Sequence, residues 1–527
     1  MNPIEPNFGA GADPRPEVNR WIVAIAVMLS TFMEILDTTV VNVSLPHIAG
    51  SLSATVDEST WALTSYLVAN AIVLPLTGWL ANYFGRKRLL MMSVTGFTVA
   101  SFFCGMAPNL TVLVLCRIVQ GATGGAMQPL SQAVLLETFP SRERGKAMAF
   151  WGLGIVVAPI IGPVLGGWLT DNYSWRWVFY INIPVGIASI IMTKLFIFDP
   201  HYIRRLSSRV DSWGIGMLAV GIGALQIVLD KGQEEDWFAS DWIRVLFVIS
   251  IVTLVIFLLY EWRVRNPVLH LRVFRSRTYS TGVFMMTLLG FVLYASLVML
   301  PILLQTLFGY PALQAGIAMA PRGIGSFLAM PLVGILVSRF DPRKLLALGI
   351  ALAAFTLIWL GQLNLDAGYW DIFWPQLIQG VSMALLFVPL TTITMDPIPN
   401  AEMGNATSIF NLMRNIGGST GIAVVTTILE RRTQMHVNTL GAHVTPYDLG
   451  TRLMLQNIQK GLMERGADSV TALRQSYGAL FGMVQRQAAM ISFNEVFWLL
   501  GIIFLAVMPF IFVLKRPTHR PEGMAAD

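Results

Sequence analysis

The segment 158-APIIGPVLGG-167 lies in the middle of an apolar run between about 147 and 169. Gly162 and Gly166 are four residues apart, which is the spacing of small residues that lets two transmembrane helices pack closely. Pro163 lies between them and predicts a bend, because proline lacks the backbone donor that a regular helix needs. The segment therefore predicts a membrane-spanning helix that packs tightly against another helix.

The composition of the whole chain agrees with this prediction. Of the 527 residues, 55% are hydrophobic and 13% are charged, whereas soluble domains carry about 25% charged residues. Apolar runs recur along the chain, and each is long enough to cross a hydrocarbon core of about 30 Å. We predict an all-α polytopic membrane protein with fourteen spans. The spans are 21–45, 61–81, 89–107, 110–132, 147–169, 178–198, 213–230, 242–260, 280–302, 313–337, 344–362, 373–395, 404–428 and 494–514.

The basic residues predict the orientation. If the N-terminal tail, 1–20, is cytoplasmic, the loops and tails on its side carry 22 Lys and Arg, and the short loops on the other side carry two. Positive residues are enriched on the cytoplasmic side of membrane proteins. The asymmetry predicts cytoplasmic termini, and it explains the net charge of +6 without a nucleic-acid partner.

Two acids lie inside the first span. Glu34 and Asp37 are three residues apart, so a helix places them on about the same face. Intramembrane charges are costly and usually face a cavity or a partner. We predict that Asp37 couples transport to a proton, that Glu34 modulates it or contacts substrate, and that Arg117 of the fourth span is a partner.

Structural roles for these three residues remain open. Asp37 could instead make a hydrogen bond that only joins two helices, Glu34 could face a vestibule, and Arg117 could bind backbone carbonyl groups. The loop after the second span, 78-GWLANYFGRKR-88, is similarly ambiguous when taken alone. Its glycines permit close helix approach and a sharp turn, but its basic residues are also typical of an ordinary cytoplasmic loop.

Further motifs remove much of this ambiguity. LDTTVVNVSLP begins at Leu36, RIVQG begins at Arg117, and GNATSIFNLMRNIGGSTG spans 404–421. Together with GWLANYFGRKR and GPVLGG, they resemble the major facilitator superfamily and, more narrowly, the fourteen-span drug:proton antiporters of the EmrB/QacA type. The resemblance covers about residues 20–515, and the EmrB-like members of that group are the most similar in style.

The resemblance implies two six-helix halves around a central site near the membrane midplane. It assigns 21–200 to the N-terminal half, 201–265 to two inserted helices and 266–527 to the C-terminal half. It also implies two motifs: a cytoplasmic gate motif formed by Gly78, Asn82, Gly85, Arg86 and Lys87, and an antiporter motif formed by Gly162, Pro163, Gly166 and Gly167. Asn82 stands where the family usually has an acid, which predicts a weaker ionic latch at the gate.

Polar residues within the spans are candidates for lining a substrate cavity. The 26 methionines and 30 phenylalanines would supply adaptable apolar walls for lipophilic ligands. Each polar residue could instead only pack helices or face lipid. Arg414 would attract an anionic substrate. The candidates are Asn42, Gln120, Gln128, Tyr294, Gln305, Gln379, Asn411 and Arg414.

The segment 430–493 is predicted to be a periplasmic loop with short amphipathic helices. Leu453, Leu455, Ile458 and Leu462 form an approximate apolar stripe in its middle. In EmrB-like proteins a periplasmic membrane-fusion adaptor of the EmrA type and an outer-membrane channel of the TolC type complete the efflux path. The resemblance therefore implies that this loop docks an adaptor, although it could instead cap the protein's own outer mouth.

These observations predict multidrug efflux of lipophilic or amphiphilic compounds across the bacterial inner membrane, driven by the proton gradient and without a cofactor. The chain is not predicted to be an enzyme, since no nucleotide-binding loop, catalytic triad or metal-ligand spacing is visible. Two alternatives remain open. One is a dedicated exporter of one endogenous compound, such as a siderophore or a fatty acid. The other is a non-transporting sensor with the same fold, although its intramembrane acids would then have no purpose.

Overall fold

A computed structural model of the chain describes residues 19–199, 211–264 and 267–515, and these ranges contain helices and no strand. Most of the predicted N-terminal and C-terminal tails lies outside the described residues. The helices of the first half are α1 (Arg20–Ser51), α2 (Val56–Ser59), α3 (Trp61–Phe84), α4 (Arg86–Met106), α5 (Leu110–Gly124), α6 (Met127–Thr138), α7 (Arg144–Asn172), α8 (Trp177–Tyr180) and α9 (Asn182–Phe196).

Two inserted helices, α10 (Ser212–Lys231) and α11 (Asp241–Glu261), precede the second half. The helices of the second half are α12 (Arg277–Thr306), α13 (Ala312–Arg339), α14 (Pro342–Leu360), α15 (Tyr369–Met395), α16 (Met403–His443), α17 (Leu449–Glu464) and α18 (Ser469–Val507). The described secondary structure also includes short 3-10 turns at Trp237–Ala239, Leu271–Arg275, Asn400–Glu402 and Met508–Val513.

Thirteen helical stretches within the described ranges are long and apolar enough to cross a membrane. The predicted span 404–428 is the exception, because α16 carries several polar residues and continues into a polar segment. It nevertheless packs along α12 and against α3 inside the bundle. The fold is therefore consistent with the fourteen predicted spans.

The two halves repeat the same helix pairings. In the first half α1 packs on α7, α3 on α5 and α4 on α9, and in the second half α12 packs on α16, α13 on α15 and α14 on α18. The halves meet where α3 and α6 contact α16 and where α7 contacts α13. The inserted helices α10 and α11 pack together, and α10 contacts α3 and α16 from outside. These pairings agree with the predicted arrangement of two six-helix halves.

A short sequence repeat marks equivalent crossings in the two halves. RIVQG ends at Gly121 in α5, and QLIQG ends at Gly380 in α15. A Cβ atom on Gly121 would overlap the backbone oxygen of Tyr66 on α3, and one on Gly380 would overlap the backbone oxygen of Arg322 on α13. Because only glycine permits such close backbone approach, Tyr66 and Arg322 occupy equivalent positions.

The predicted outer loop is mostly a continuation of two long helices. The helix α16 runs on to His443, α18 already begins at Ser469, and only the middle amphipathic stretch forms a separate helix, α17. Leu453 of the predicted stripe is 51% exposed. The other three stripe residues, Leu455, Ile458 and Leu462, are half-buried. We call residues 430–493 the distal extension.

Candidate functional site

The Asp37 carboxylate lies in a buried hydrogen-bond network between α1, α5 and α9. Its Oδ2 accepts a hydrogen bond from Arg117 Nη1 at 2.5 Å. Its Oδ1 accepts hydrogen bonds from Gln120 Nε2 at 3.0 Å and from Asn182 Nδ2 at 2.7 Å. Both partners of the ion pair are fully buried. The network brings together Asp37, Arg117 and Gln120 of the predicted site residues, and it adds Asn182.

Arg117 is held on several sides. Its Nε donates to the carbonyl oxygen of Ala62 at 2.9 Å, and its Nη1 also donates to Gln120 Oε1 at 2.7 Å. The ring of Tyr66 stacks 4.1 Å from the guanidinium carbon, a distance that allows a cation–π interaction. Arg117 therefore makes the predicted carbonyl contact as well as the predicted ion pair. Asp37 supplies the counter-charge of Arg117, and losing one partner of a buried ion pair costs about 3–5 kcal/mol.

The antiporter motif packs α7 against the turn of α1 that follows Asp37. A Cβ atom on Gly162 would overlap the Thr39 hydroxyl, and one on Gly166 would lie 2.9 Å from the Val40 carbonyl oxygen. A Cβ atom on Gly167 would have no neighbour within 4 Å among the described atoms. Pro163 lies inside α7. The close packing predicted from the glycine spacing is therefore found at the helix that carries the acids.

Glu34 faces a different set of helices from Asp37. Its Oε1 accepts a hydrogen bond from Asn70 Nδ2 of α3 at 2.9 Å. It also interacts with the Gln128 amide and with the charge of Arg414, and Arg414 in turn donates a hydrogen bond to Gln128. Glu34 thus belongs to a contact between the two halves, whereas Asp37 belongs to a network inside the first half.

A cavity lies next to the contact that contains Arg414, and we call it the central cavity. Its wall is formed by α7 of the first half and by α12, α13, α14, α15, α16 and α18 of the second half. Tyr294, Gln379 and Arg414 of the predicted cavity residues lie in its wall, and Arg322 lies there as well. The remaining lining residues are mostly apolar. A mostly apolar wall with a few polar groups is typical of small-molecule sites.

Other predicted cavity residues lie elsewhere. Asn411 Nδ2 donates to Gln132 Oε1 of α6 at 2.6 Å, so it joins the two halves rather than lining the cavity. Asn42 and Gln305 are exposed, and neither belongs to the cavity wall. Asn42 is five residues after Asp37, which turns it about 140° around the helix axis. Gln305 lies in the last turn of α12, beyond the level of the cavity.

The gate motif forms a sharp turn with buried charges. Gly85 has a φ of 85°, which favours glycine. Arg86 pairs with Glu137 of α6, and both side chains are buried. The Lys87 backbone amide donates to Asp199 Oδ1 at 2.8 Å. Asn82 is half-buried and makes no side-chain hydrogen bond to the described part of the chain. Electrostatic contacts at this turn are therefore made by the neighbouring basic residues.

The two halves are in close contact at this end of the bundle, which we call the basic end. A Cβ atom on Gly78 would lie 2.7 Å from Cα of Asn405 on α16. The hydroxyl of Thr407 donates to the Pro129 carbonyl oxygen of α6 at 3.0 Å. Gly78 is therefore needed where α3 crosses α16.

Comparison with known proteins agrees with this architecture. A family model described as "Major Facilitator Superfamily" matches residues 27–422. The chain belongs to the major facilitator superfamily. The multidrug export protein EmrB of Haemophilus influenzae is 38% identical over 499 residues, which cover 94% of this chain and 96% of that protein.

Another relative within the superfamily and a solved structure extend the comparison. The fatty acid resistance protein FarB of Neisseria gonorrhoeae is 38% identical over 511 residues, covering 95% of this chain and 97% of that protein. A crystal structure of a double tryptophan mutant of XylE matches with a TM-score of 0.62 at 14% identity, covering 95% of this chain and 97% of XylE. The major facilitator fold and the EmrB-like resemblance predicted from sequence motifs are confirmed.

Sequence reasoning missed several residues of this superfamily member's networks. All but Glu137 are polar residues inside a predicted apolar span, which is the signal that could have identified them. Asn182 lies in the aromatic-rich stretch 175-WRWVFYINIPVG-186, and Arg322 follows a proline in the tenth span. The missed residues are Tyr66, Asn70, Gln132, Glu137, Asn182 and Arg322.

Proposed function

We propose that the protein exports lipophilic and amphiphilic toxic compounds across the bacterial inner membrane in exchange for protons. The observation that supports this most strongly is the double role of α7. Its motif glycines pack on the α1 turn next to Asp37, and its residues Gly152, Ile155 and Val156 line the central cavity. A change at Asp37 would therefore act on the cavity wall through one helix. The EmrB relatives, named as multidrug export proteins, support the substrate range.

Protonation of Asp37 would neutralise the carboxylate that Arg117, Gln120 and Asn182 donate to. The hydrogen bonds from the Gln120 and Asn182 amides would then become weaker neutral ones, and Arg117 would lose its counter-charge. A ligand shifts a conformational equilibrium only by its differential affinity for the two states. In antiport, a proton on Asp37 and a substrate in the cavity would stabilise opposite arrangements of the two halves.

The test is dye efflux driven by a pH gradient in proteoliposomes that contain Asp37→Asn. We expect gradient-driven efflux of a lipophilic dye to be lost while equilibrium binding of the dye is retained, because the cavity wall does not include Asp37. Asp241→Asn is the matched control, because its carboxylate is exposed at the end of α11. Full gradient-driven efflux by Asp37→Asn, at a matched amount of protein, would rule out its coupling role.

We further propose that the basic end faces the cytoplasm and that the distal extension binds a periplasmic adaptor, which leads to an outer-membrane channel. The excess of Lys and Arg on one side supports the orientation. Exposed aromatic residues of the extension support a docking role: Tyr447 is 90% exposed, and Tyr477 and Phe481 are each 54% exposed. Such large apolar side chains are enriched at protein interfaces.

The docking role can be separated from a cap over the protein's own mouth. A Tyr477→Glu, Phe481→Glu double variant should lose capture of the purified adaptor while keeping dye transport in proteoliposomes that lack the adaptor. Gln456→Glu, an exposed position on α17, is the matched control. Unchanged adaptor capture by the double variant would contradict docking through this surface. Altered transport without adaptor would favour the cap.

A further inference from the structure

The Asp37 carboxylate accepts every hydrogen bond that the structure describes for it. Arg117 Nη1 donates to Oδ2, and the amide nitrogens of Gln120 and Asn182 donate to Oδ1. An ionised carboxylate can only accept hydrogen bonds, whereas a protonated carboxyl group also needs an acceptor for its own O–H. These three contacts therefore suit the ionised form, and none of them offers an acceptor to a proton on Asp37.

The Gln120 amide presents its nitrogen to Asp37 because its oxygen is already occupied. Gln120 Oε1 accepts a hydrogen bond from Arg117 Nη1 at 2.7 Å, and a guanidinium group can only donate. The Cys104 thiol also lies 3.5 Å from the same oxygen. Turning the amide round would set its NH2 group against the Arg117 donor. Gln120 therefore cannot offer its oxygen to a proton on Asp37 while Arg117 stays in place.

The Asn182 amide is fixed by a relay of hydrogen bonds through Ser101. The Ser101 hydroxyl donates to the carbonyl oxygen of Phe179 at 2.8 Å, and a carbonyl oxygen can only accept. Because a hydroxyl group has one hydrogen, Ser101 Oγ must accept its hydrogen bond from Asn182 Nδ2, which lies at 3.0 Å. The other hydrogen of the same nitrogen then points to Asp37 Oδ1 at 2.7 Å. Rotation of the amide would break the Asn182–Ser101 hydrogen bond unless Ser101 left Phe179.

Close packing of α4 against α8 and α9 holds this relay in place. A Cβ atom on Gly105 of α4 would overlap the ring of Tyr180, and one on Gly186 of α9 would overlap the hydroxyl of Thr98 on α4. Ser101 lies between Thr98 and Gly105 along α4, so the relay is flanked by both contacts. The interior of a protein packed in this way does not yield to small shifts. Reversing the direction of the hydrogen bonds therefore requires the amide to rotate or α9 to move relative to α4.

The titratable groups around Asp37 are separate from this relay. Arg117 of α5 is its ion-pair partner. Glu34 of α1, Tyr66 of α3 and Cys104 of α4 also interact with its charge, whereas α9 contributes an amide, which does not titrate. A substitution within the relay leaves all four groups unchanged, so its effect on the protonation of Asp37 reports the direction of the hydrogen bonds.

We propose that Ser101 and Asn182 are positioning residues that restrict this arrangement of the helices to the ionised form of Asp37. A proton can then bind Asp37 only when the Asn182 amide rotates or α9 moves. Proton binding is therefore tied to a rearrangement of the helices around it, and this gives the proton a different affinity for the two arrangements, as coupling requires. The inference rests on the proposed role of Asp37 in proton coupling and describes how that site is controlled.

The test follows the protonation of Asp37 directly. Infrared spectra of the full-length protein in phosphatidylcholine nanodiscs are recorded over a range of pH, and the carbonyl band of a protonated carboxyl group that is missing from Asp37→Asn is assigned to Asp37. In Ser101→Ala the Asn182 amide is free to turn its oxygen toward the proton. The net contribution of one hydrogen bond corresponds to about half to one pH unit, so the midpoint of the titration should rise by that amount.

Two further variants separate the hydroxyl group from its packing. Ser101→Thr keeps a hydroxyl and should keep the midpoint of the unsubstituted protein. Ser189→Ala is the matched control, because Ser189 is buried on α9 and its hydroxyl has no hydrogen-bond partner among the described residues. Equal midpoints in Ser101→Ala and Ser189→Ala would overturn the inference, as would a band that is absent from both at every pH. An equal rise in Ser101→Thr would also overturn it, since packing would then be the cause.

The proposed export function is judged by a different measurement, gradient-driven dye efflux in proteoliposomes. Ser101→Ala should keep this efflux and reach half of its maximal rate at a higher pH, whereas Asp37→Asn should lose it. Retained efflux in Asp37→Asn would contradict the proposed function whatever the infrared midpoints are. Equal infrared midpoints would contradict the inference whatever the efflux is.

Discussion

Removing the charge of Asp37 alone should destabilise the protein more than removing both charges of its buried pair. Asp37→Asn leaves the fully buried guanidinium of Arg117 without its counter-charge, and breaking a buried pair in this way costs about 3–5 kcal/mol. Replacing both partners by neutral residues of similar size is often neutral or stabilising. The Asp37→Asn, Arg117→Gln double variant should therefore recover at least about 2 kcal/mol of the loss.

Equilibrium unfolding in mixed micelles of dodecyl maltoside and sodium dodecyl sulfate gives the four free energies of a double-mutant cycle. The exposed pair of Arg244 and Asp241 provides a matched cycle, in which no measurable coupling is expected because solvent screens both charges. The reasoning is refuted if Asp37→Asn is as stable as the unsubstituted protein, or if the double variant is less stable than both single variants. Gradient-driven efflux should be lost in all three variants of the buried pair.

The remaining predictions concern helix packing and capping. Gly380→Ala places a methyl group against the backbone oxygen of Arg322, and such overpacking should lower the free energy of unfolding by about 1–3 kcal/mol. Gly167→Ala, whose Cβ would have no neighbour within 4 Å, should have little effect in the same unfolding assay. Asp448 accepts hydrogen bonds from the backbone amide and hydroxyl of Thr451 at 2.7 and 2.9 Å, and these bonds hold the pKa of the Asp448 carboxyl below its usual value. Because the charged form is the bonded one, the cap is complete above about pH 3.8 and is lost as the pH falls further. The protection factors of the amides at the start of α17, which correct for the intrinsic pH dependence of hydrogen exchange, should therefore fall in acid, and at neutral pH in Asp448→Ala.

The positions of the spans were predictable because each span carries its own apolar signal. The span in α16 was identified from its motif, although its polar residues keep it below the hydropathy of the others. The continuation of α16 and α18 outside the predicted spans 404–428 and 494–514 was not predictable, since a change from apolar to polar composition does not end a helix. Much of the distal extension is therefore helix that continues α16 and α18.

The candidate site was predictable only in part, because polarity within a span does not report which way a side chain faces. Asp37 and Arg117 were identified from motifs, and they meet. Asn182 reaches Asp37 from 145 residues away in the sequence, a contact that no local pattern encodes. Asn42 and Gln305 were selected for their polarity and turn out to be exposed. Pairs such as Gln132 and Asn411 become visible only when the two halves are packed together.

The repeat of RIVQG in α5 and QLIQG in α15 places different side chains at equivalent positions of the two halves. Gln120 and Gln379 precede the equivalent glycines, but Arg117 of the first half corresponds to Gln376 of the second. Gln120 accepts a hydrogen bond from Arg117, and Gln379 accepts one from Gln376 at 3.1 Å. The first half thus has a cation at this position, paired with Asp37, and the second half has a neutral amide.

The buried acids near the site and the cations of the cavity wall lie in different halves. The buried acids Glu34 and Asp37 belong to the first half, and the cations of the cavity wall belong to the second. Gln128, which contacts Arg414 from the first half, connects the two groups. On the proposed function, a proton on Asp37 and a substrate in the cavity would bind at sites that share no residue. Gln128 would provide a second connection between these sites besides α7, so Gln128→Ala should weaken the dependence of efflux on the pH gradient while leaving the Asp37 network intact.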